Sequence, residues 1–318
     1  MRKVEGSLEV VARLNGGSDV EDLLLLQEER RDPPALTSVV LPVRNGEAHL
    51  AEQLAALADQ TYAGPWELVV VDGSTDRSRE IVYRFSDALP RLVLVDARRR
   101  PGLGRARNAG AAAARGELLA NCDADDVVAP DWLEALVAAA AHADVVGGAC
   151  RYDINTEAQR AWEECERPPP LRGAYDFLPY PSGGNCAVWA EVARELRWDE
   201  SFAFGASDIE FGWRAQLAGF RLAFEPRAVI QRRFRTSPAA VGRRHFRGAT
   251  AEPLLYRRFR ARGMPRSNLL RAILAWCWLA ATAGRLVSGV EERGKWLRAA
   301  GTRSGRVCGS VRHRSLYL

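Results

Sequence analysis

The stretch ELLANCDADDVVAP, Glu117 to Pro130, runs from an apolar segment into three carboxylates, Asp123, Asp125 and Asp126, with only Ala124 between them. Two unit charges about 5 Å apart repel by roughly 3 kcal/mol at an effective dielectric of about 20. Water, hydrogen bonds or a raised pKa relieve part of that. A divalent cation relieves more, because hard cations such as Mg²⁺ are held by one or two carboxylates plus phosphate oxygens of a substrate. The other reading is a solvated acidic turn before a helix that opens at Pro130, since proline suits the first helical position. Both readings stand on this stretch alone.

The elements around it supply an address. Ser38–Val43 is a continuous β-branched run of the kind a strand buried on both faces shows. Helical spacing follows at Ala48–Asp59, then a strand at Leu68–Val71, a helix at Asp76–Phe85 and a strand at Leu92–Val95. An alanine-rich helix at Arg105–Arg115 precedes the strand Glu117–Cys122, the helix Asp131–Ala141 and the strand Asp144–Ala149. Strands alternating with helices of about ten residues imply right-handed crossovers and a doubly wound α/β unit with a mostly parallel sheet. Ligands of such sheets sit beyond the carboxyl ends of the strands. Three ends are chemically pointed: Pro42-Val43-Arg44-Asn45, Asp72-Gly73-Ser74-Thr75-Asp76 and Asp123-Ala124-Asp125-Asp126. Each is explicable singly as a turn or a helix cap. Together they are better explained by one shared ligand.

The chain has 318 residues, 47% hydrophobic and 27% charged, with a formal charge of +5. That is an ordinary globular composition, long enough for a large core. Lys3 and Lys295 are the only lysines, so a generic arginine carries little functional weight. Nucleic-acid binding would need basic and aromatic residues clustered on one face, whereas the arginines are dispersed. Six cysteines without a C-x-x-C pair and four scattered histidines indicate neither a zinc site nor a disulfide framework. Residues 1–36 form an N-terminal extension with one short helix expected around Val20–Arg30. It lacks a signal-peptide core, because Leu23–Leu26 is short and Glu28–Arg31 follows. A cytoplasmic location is the expectation.

The second half is less regular. Proline-marked loops flank Gly183-Gly184-Asn185, an amphipathic helix covers Ser207–Gly219, and a short strand at Arg221–Phe224 precedes the basic segment Arg232–Arg247. The apolar stretch Leu269–Val290 is interrupted by Arg271, Gly284 and Arg285, and its longest clear run is shorter than the ~20 residues that cross a bilayer. With Trp276, Trp278 and the basic tail of residues 293–314, it suits either a membrane interface, packing on the rest of the chain, or pairing with another subunit.

The ordered blocks "TSVVLPVRNGEAHLAEQLAAL", "ELVVVDGSTDRSREI", "GLGRARNAGAAAARGELLANCDADD", "PSGGNCAV" and "WDESFAFGASDIEFGWRAQLAGFRL" resemble a family 2 glycosyltransferase of the GT-A fold, over about residues 37–262. The resemblance implies a nucleotide-sugar-binding half at 37–150, an acceptor half at 151–262 and an appendage at 263–318. It implies inverting, non-processive transfer of one sugar from a nucleoside-diphosphate sugar to a glycan, lipid-linked or small-molecule acceptor. A UDP-sugar is favoured, with GDP- and dTDP-sugars open. By resemblance Asp125 is the metal ligand for Mg²⁺ or Mn²⁺, with Asp123 at the metal or ribose. Pro42, Val43, Arg44 and Asp72 lie along the nucleotide, and Arg105, with Arg107 as a second choice, reaches the diphosphate. Gly184 and Asn185 approach the sugar or acceptor, Arg243 and Arg244 touch the diphosphate, and Asp208 is the catalytic base. The chain departs from the pattern at Val71-Asp72, where the family often has two acids, and at Ser207, where it commonly has glutamate. These departures leave a nucleotide-sugar-binding protein without catalysis as the alternative. A nucleotidyltransferase would need a glycine-rich loop with a following lysine, which is absent. Peripheral attachment to the inner membrane face is compatible with the C-terminal region.

Overall fold

Strand and helix alternate through the first half as the hydrophobic periods require. The computed structural model describes residues 9–10, 30–99, 102–163, 172–173, 175–203 and 205–318. A two-residue strand, β1 (Glu9–Val10), comes first. After it run β2 (Thr37–Val43), α1 (Leu50–Ala58), β3 (Trp66–Asp72), α2 (Ser78–Arg84), β4 (Leu92–Asp96), α3 (Leu103–Ala113), β5 (Leu118–Cys122), β6 (Val127–Val128), α4 (Trp132–Ala140) and β7 (Val145–Arg151). Arg30 apart, the helix expected at Val20–Arg30 lies outside the described residues.

The strands β4, β3, β2 and β5 are parallel neighbours. Their side chains Val39, Leu41, Val69, Val70 and Leu118 are fully or almost fully buried, which is why these segments read as unbroken apolar runs. Beyond β5 the sheet becomes mixed. After α5 (Glu157–Glu163) and a small ribbon of β8 (Arg172–Gly173) and β9 (Pro179–Tyr180), β10 (Asn185–Trp189) inserts antiparallel between β5 and β7. Asn185 pairs with Cys122 and Trp189 with Leu118. The strand therefore starts beside the aspartates and runs away from them, which delivers the Gly183-Gly184 turn to the acidic end of β5.

The chain continues through α6 (Ala190–Leu196) and α7 (Ser207–Leu217) into β11 (Leu222–Gln231). This strand is longer than the Arg221–Phe224 read from sequence. Its pairing with β7 shifts register between Glu225 and Val229, a bulge that accommodates Pro226, which has no N–H for the ladder. Past the bulge, Gln231 pairs with Val127. Arg232 and its neighbours consequently leave the sheet next to the aspartates.

A second apolar cluster joins Phe202, Ile209 and Trp213 to Leu255, Phe259 and Met264. The last three come from α9 (Glu252–Phe259) and the turn after it. Trp189, Trp198 and Trp213 are all core residues, at most 7% exposed. The C-terminal elements are α10 (Leu269–Ala281) and α11 (Val290–His313). The expected basic tail is thus mostly helix, and it packs along α8 (Pro238–Ala249) through glycines. A Cβ built on Gly301, Gly305 or Gly309 would collide with the backbone carbonyl of Gly242, Phe246 or Thr250, respectively.

Candidate active site at the acidic strand end

The exits of β2 and β3 are latched together. Gly73 N donates to Val43 O at 2.8 Å, Asn45 N to Ser74 Oγ at 2.9 Å, and Thr75 N to Asn45 Oδ1 at 2.9 Å. Asn45 holds a left-handed φ of 54°, which asparagine tolerates better than most residues. Asp72 is only 1% exposed. Its Oδ1 accepts from Ser74 N at 2.9 Å and its Oδ2 from Arg79 Nε at 2.8 Å. The carboxylate is thus engaged in shaping the loop. At the same end Val43 is buried, Pro42 half-buried and Arg44 exposed.

The three aspartates occupy different environments. Asp126 is buried, accepts from Arg233 N at 3.0 Å and lies 3.6 Å from Arg232 Nε. Burial raises its pKa well above the usual carboxylate range; Arg232 opposes the rise, while Asp123 and Asp125 add to it. Asp125 is the most open, with its side chain 37% exposed and, among the described residues, a single loose contact of 3.5 Å to Arg235. Asp123 is 29% exposed at its side chain and accepts from Arg107 Nη2 at 3.3 Å. No backbone N–H caps α4 through a side chain of this acidic run, so the aspartates are not accounted for as a helix start.

Across from Asp123 stands the turn before β10. A Cβ on Gly184 would collide with the Asp123 carboxylate, and one on Gly183 with the Arg107 guanidinium. Neither glycine is among the residues of positive φ; the requirement is space. Gly183 N in turn donates to Asp208 Oδ2 at 3.4 Å. Asp208 lies in the first turn of α7, where a carboxylate is favoured by the helix dipole. The residue before that helix, Ala206, takes a left-handed φ of 58°. Burial pushes the Cys186 thiol up to about 12; Arg107 acts against this, while Asp208 and Asp123 reinforce it. All three charges are therefore felt at one buried atom behind the turn.

Arg107 is 2% exposed, its guanidinium 4.6 Å from the Trp198 ring centre, and its Nε has no hydrogen-bond partner among the described residues. Arg105, the first choice from sequence, points outward and pairs with Glu200 at 2.8 Å. The two residues are about 200° apart on a helix of 100° per residue, so only one can face in. Asn185, expected near the acceptor, is fully buried. Its Oδ1 accepts from Trp132 Nε1 at 2.7 Å and its Nδ2 donates to the carbonyls of Ala149 and Ala228, so its side chain serves the sheet. Arg243 is exposed and Arg244 pairs with Glu163 at 2.9 Å, beside a 2.8 Å contact from His245. Burial would raise the Glu163 pKa, but His245 and Arg244 prevail and hold it at about 2. Besides Arg107, the arginines that do meet the aspartates are Arg232, Arg233 and Arg235. Arg233 also donates to Asp125 O at 3.2 Å. None of these three was singled out from sequence, though all lie in the basic segment that follows β11.

Among the described residues no three carboxylate, imidazole or thiolate groups converge as a self-sufficient metal cage. The open pair Asp123 and Asp125 still fits a hard cation, which commonly takes one or two carboxylates and completes its shell with phosphate and water oxygens.

The family model "Glycosyl transferase family 2" matches residues 38–197. Glycosyltransferase AglE of Haloferax volcanii is 36% identical over 203 residues, 59% of this chain and 63% of that protein. Glycosyltransferase GlyG of Streptococcus pneumoniae is 33% identical over 121 residues, 37% of this chain and 40% of that protein. The chain spans 36% to 40% of the length of the first curated relatives it matches. Among solved structures, the mannosyltransferase PcManGT of Pyrobaculum calidifontis, in complex with GDP-Man and Mn²⁺, superposes with a TM-score of 0.58 at 21% identity, covering 90% of this chain and 94% of that one. TarS 1-349 of S. aureus in complex with UDP-GlcNAc gives 0.50 at 18% identity, covering 89% and 93%. The mixed sheet, the flanking helices and these likenesses make the fold GT-A, and the match to half of its residues means that the chain belongs to glycosyl transferase family 2.

Proposed function

We propose that the chain moves one sugar from a nucleoside-diphosphate sugar to an acceptor hydroxyl by single displacement, with inversion at the anomeric carbon. The observation that carries this is the Gly183-Gly184 turn, against which Arg107, Asp123 and Asp208 converge from three different elements. The complexes of PcManGT with GDP-Man and of TarS with UDP-GlcNAc support this donor class.

Asp123 and Asp125 would hold Mg²⁺ or Mn²⁺ together with the donor diphosphate; such an ion supplies charge neutralisation for the departing phosphate. Arg107 faces the same space and, with Arg235 and Arg233 at its rim, offers positive charge where the leaving group gathers its negative charge. The interlocked exits of β2 and β3, with Pro42, Val43, Arg44 and Asp72, form the wall for the nucleoside. Asp208 accepts the proton of the acceptor hydroxyl as the new bond forms. Its Oδ2 accepts from Gly183 N at 3.4 Å and its Oδ1 from Ile209 N at 3.0 Å, which fixes the carboxylate while each oxygen keeps a further lone pair for the hydroxyl proton. With one base and no covalent nucleophile at the turn, displacement is direct. Ser207, where the family commonly has glutamate, leaves Asp208 as the sole acid at that end of α7 able to serve. Glu210 is fully buried and held by Arg214 and Arg258, each at 2.9 Å.

Asp208→Asn tests the assignment, since the amide keeps the shape and can still accept from Gly183 N. Release of nucleoside diphosphate from the donor should fall about 100- to 10,000-fold, the range typical of a lost general base, with nucleotide affinity almost unchanged. Retained turnover would place the base elsewhere. A wild type that binds nucleotide but turns over with no glycan, lipid-linked or small acceptor would be the non-catalytic binding protein.

A further inference from the structure

Nine of the exposed large apolar side chains among the described residues fall between Leu269 and Val290. Elsewhere such residues occur singly or nearly so. Along α10 only Ala272 and Leu279 are buried, one narrow line seven residues apart. Leu270, Ile273, Leu274, Trp276 and Trp278 are 40% exposed or more, and Val287 in the following turn is 89% exposed. A helix apolar round most of its circumference normally lies inside protein or lipid.

The charges nearby say which. Residues 253–290 hold seven arginines and no aspartate, glutamate or lysine. Arg258 pairs with Asp199 and Glu210, and Arg285 with Glu292. Arg260, Arg262, Arg266 and Arg271 are exposed and meet no carboxylate among the described residues. A symmetric pair of chains joined here would bring this acid-free arginine stretch against its own copy, which like-charge repulsion disfavours. An anionic lipid surface complements both features. Basic residues are drawn to its headgroups, and apolar side chains with tryptophan suit its interface. At 13 residues, α10 is about 20 Å long, and no described helix is long and apolar enough to cross a membrane.

We infer that α10 and the turn Ala283–Val287 lie in the interface of a membrane rich in anionic phospholipid. Their apolar side chains enter the acyl boundary, and Arg260, Arg262, Arg266 and Arg271 stand at the headgroups. Phe259 and Met264, which lead into this segment, belong to the same apolar cluster as Ile209 and Trp213 of α7. The inference is independent of the donor assignment.

Vesicle flotation with the full chain tests it. Vesicles of phosphatidylcholine with phosphatidylglycerol should carry the protein up the gradient, vesicles of phosphatidylcholine alone should carry much less, and high salt should release it. Ile273→Glu with Leu274→Glu should weaken binding at least about tenfold, because charged groups are strongly disfavoured in the acyl boundary. Arg260→Glu, Arg262→Glu and Arg266→Glu combined should remove the preference for phosphatidylglycerol. All these side chains are exposed, so thermal melts monitored by circular dichroism should stay unchanged. A wild type that fails to float with anionic vesicles, or variants that float equally well, would overturn the inference. So would a wild-type dimer in sedimentation velocity that Ile273→Glu with Leu274→Glu dissociates, which would assign the surface to a second copy.

Discussion

Asp123, Asp125 and Asp126 lie within four positions of one another, yet the fold uses them differently. Asp126 is a buried partner of Arg232 and Arg233, while Asp123 and Asp125 remain open to an ion. The crowding at this strand end was legible in the sequence; the division of labour was not, because it depends on arginines that arrive more than a hundred residues later. The role of Gly184 is equally a matter of tertiary approach. Its backbone angle does not demand glycine, but the Asp123 carboxylate occupies the space a methyl would need. Gly184→Ala should therefore displace Asp123, weakening metal-dependent nucleotide binding about tenfold or more in calorimetry. Stability should change little, because the group that must move is the end of a part-exposed side chain and not backbone. Unchanged binding would mean that Asp123 does not need that position to hold the donor.

At the scale of elements, the parallel half of the sheet follows directly from its hydrophobic runs, and every strand and helix expected between residues 38 and 149 is present. The departures have local causes. β11 was read as ending at Phe224 because Glu225-Pro226-Arg227 interrupts its apolar pattern; a bulge carries the strand past them, and this alone brings Arg232 to the aspartates. For α3 the signal was present in the helical period. Gly104, Arg107, Asn108 and Ala111 form its buried side, which points Arg107 in and Arg105 out. Asn185 was indistinguishable from a ligand-binding residue, since a buried amide bonded to Trp132 and two carbonyls leaves no trace in local sequence. The C-terminal helix makes a further prediction. Gly301, Gly305 and Gly309 repeat every four residues on one face of α11 and let it touch the backbone of α8. Gly305→Ala should lower stability by about 1–3 kcal/mol in urea unfolding, outweighing the 0.5–1 kcal/mol or so that alanine gains over glycine within a helix. A stabilised variant would show that the two helices do not approach this closely.

For the molecule as a whole, the positive balance of +5 is not spread to a purpose everywhere. Many arginines are tied in ion pairs on the surface, such as Arg105 with Glu200 and Arg98 with Asp96, and such pairs contribute little stability. Two groups stand out because their context is unusual: Arg107 with Arg232, Arg233 and Arg235 around open carboxylates, and the acid-free stretch leading into α10. The first group carries the central claim, that a cation and a diphosphate belong between the aspartates and the arginines. Calorimetric titration of UDP, GDP and dTDP, each with and without Mn²⁺, into wild type and Asp125→Ala tests it most directly. The account predicts tight binding of one nucleotide that requires both the metal and Asp125. Binding of none, or binding indifferent to Mn²⁺ and to the substitution, would contradict it and leave the acidic strand end as a solvated turn.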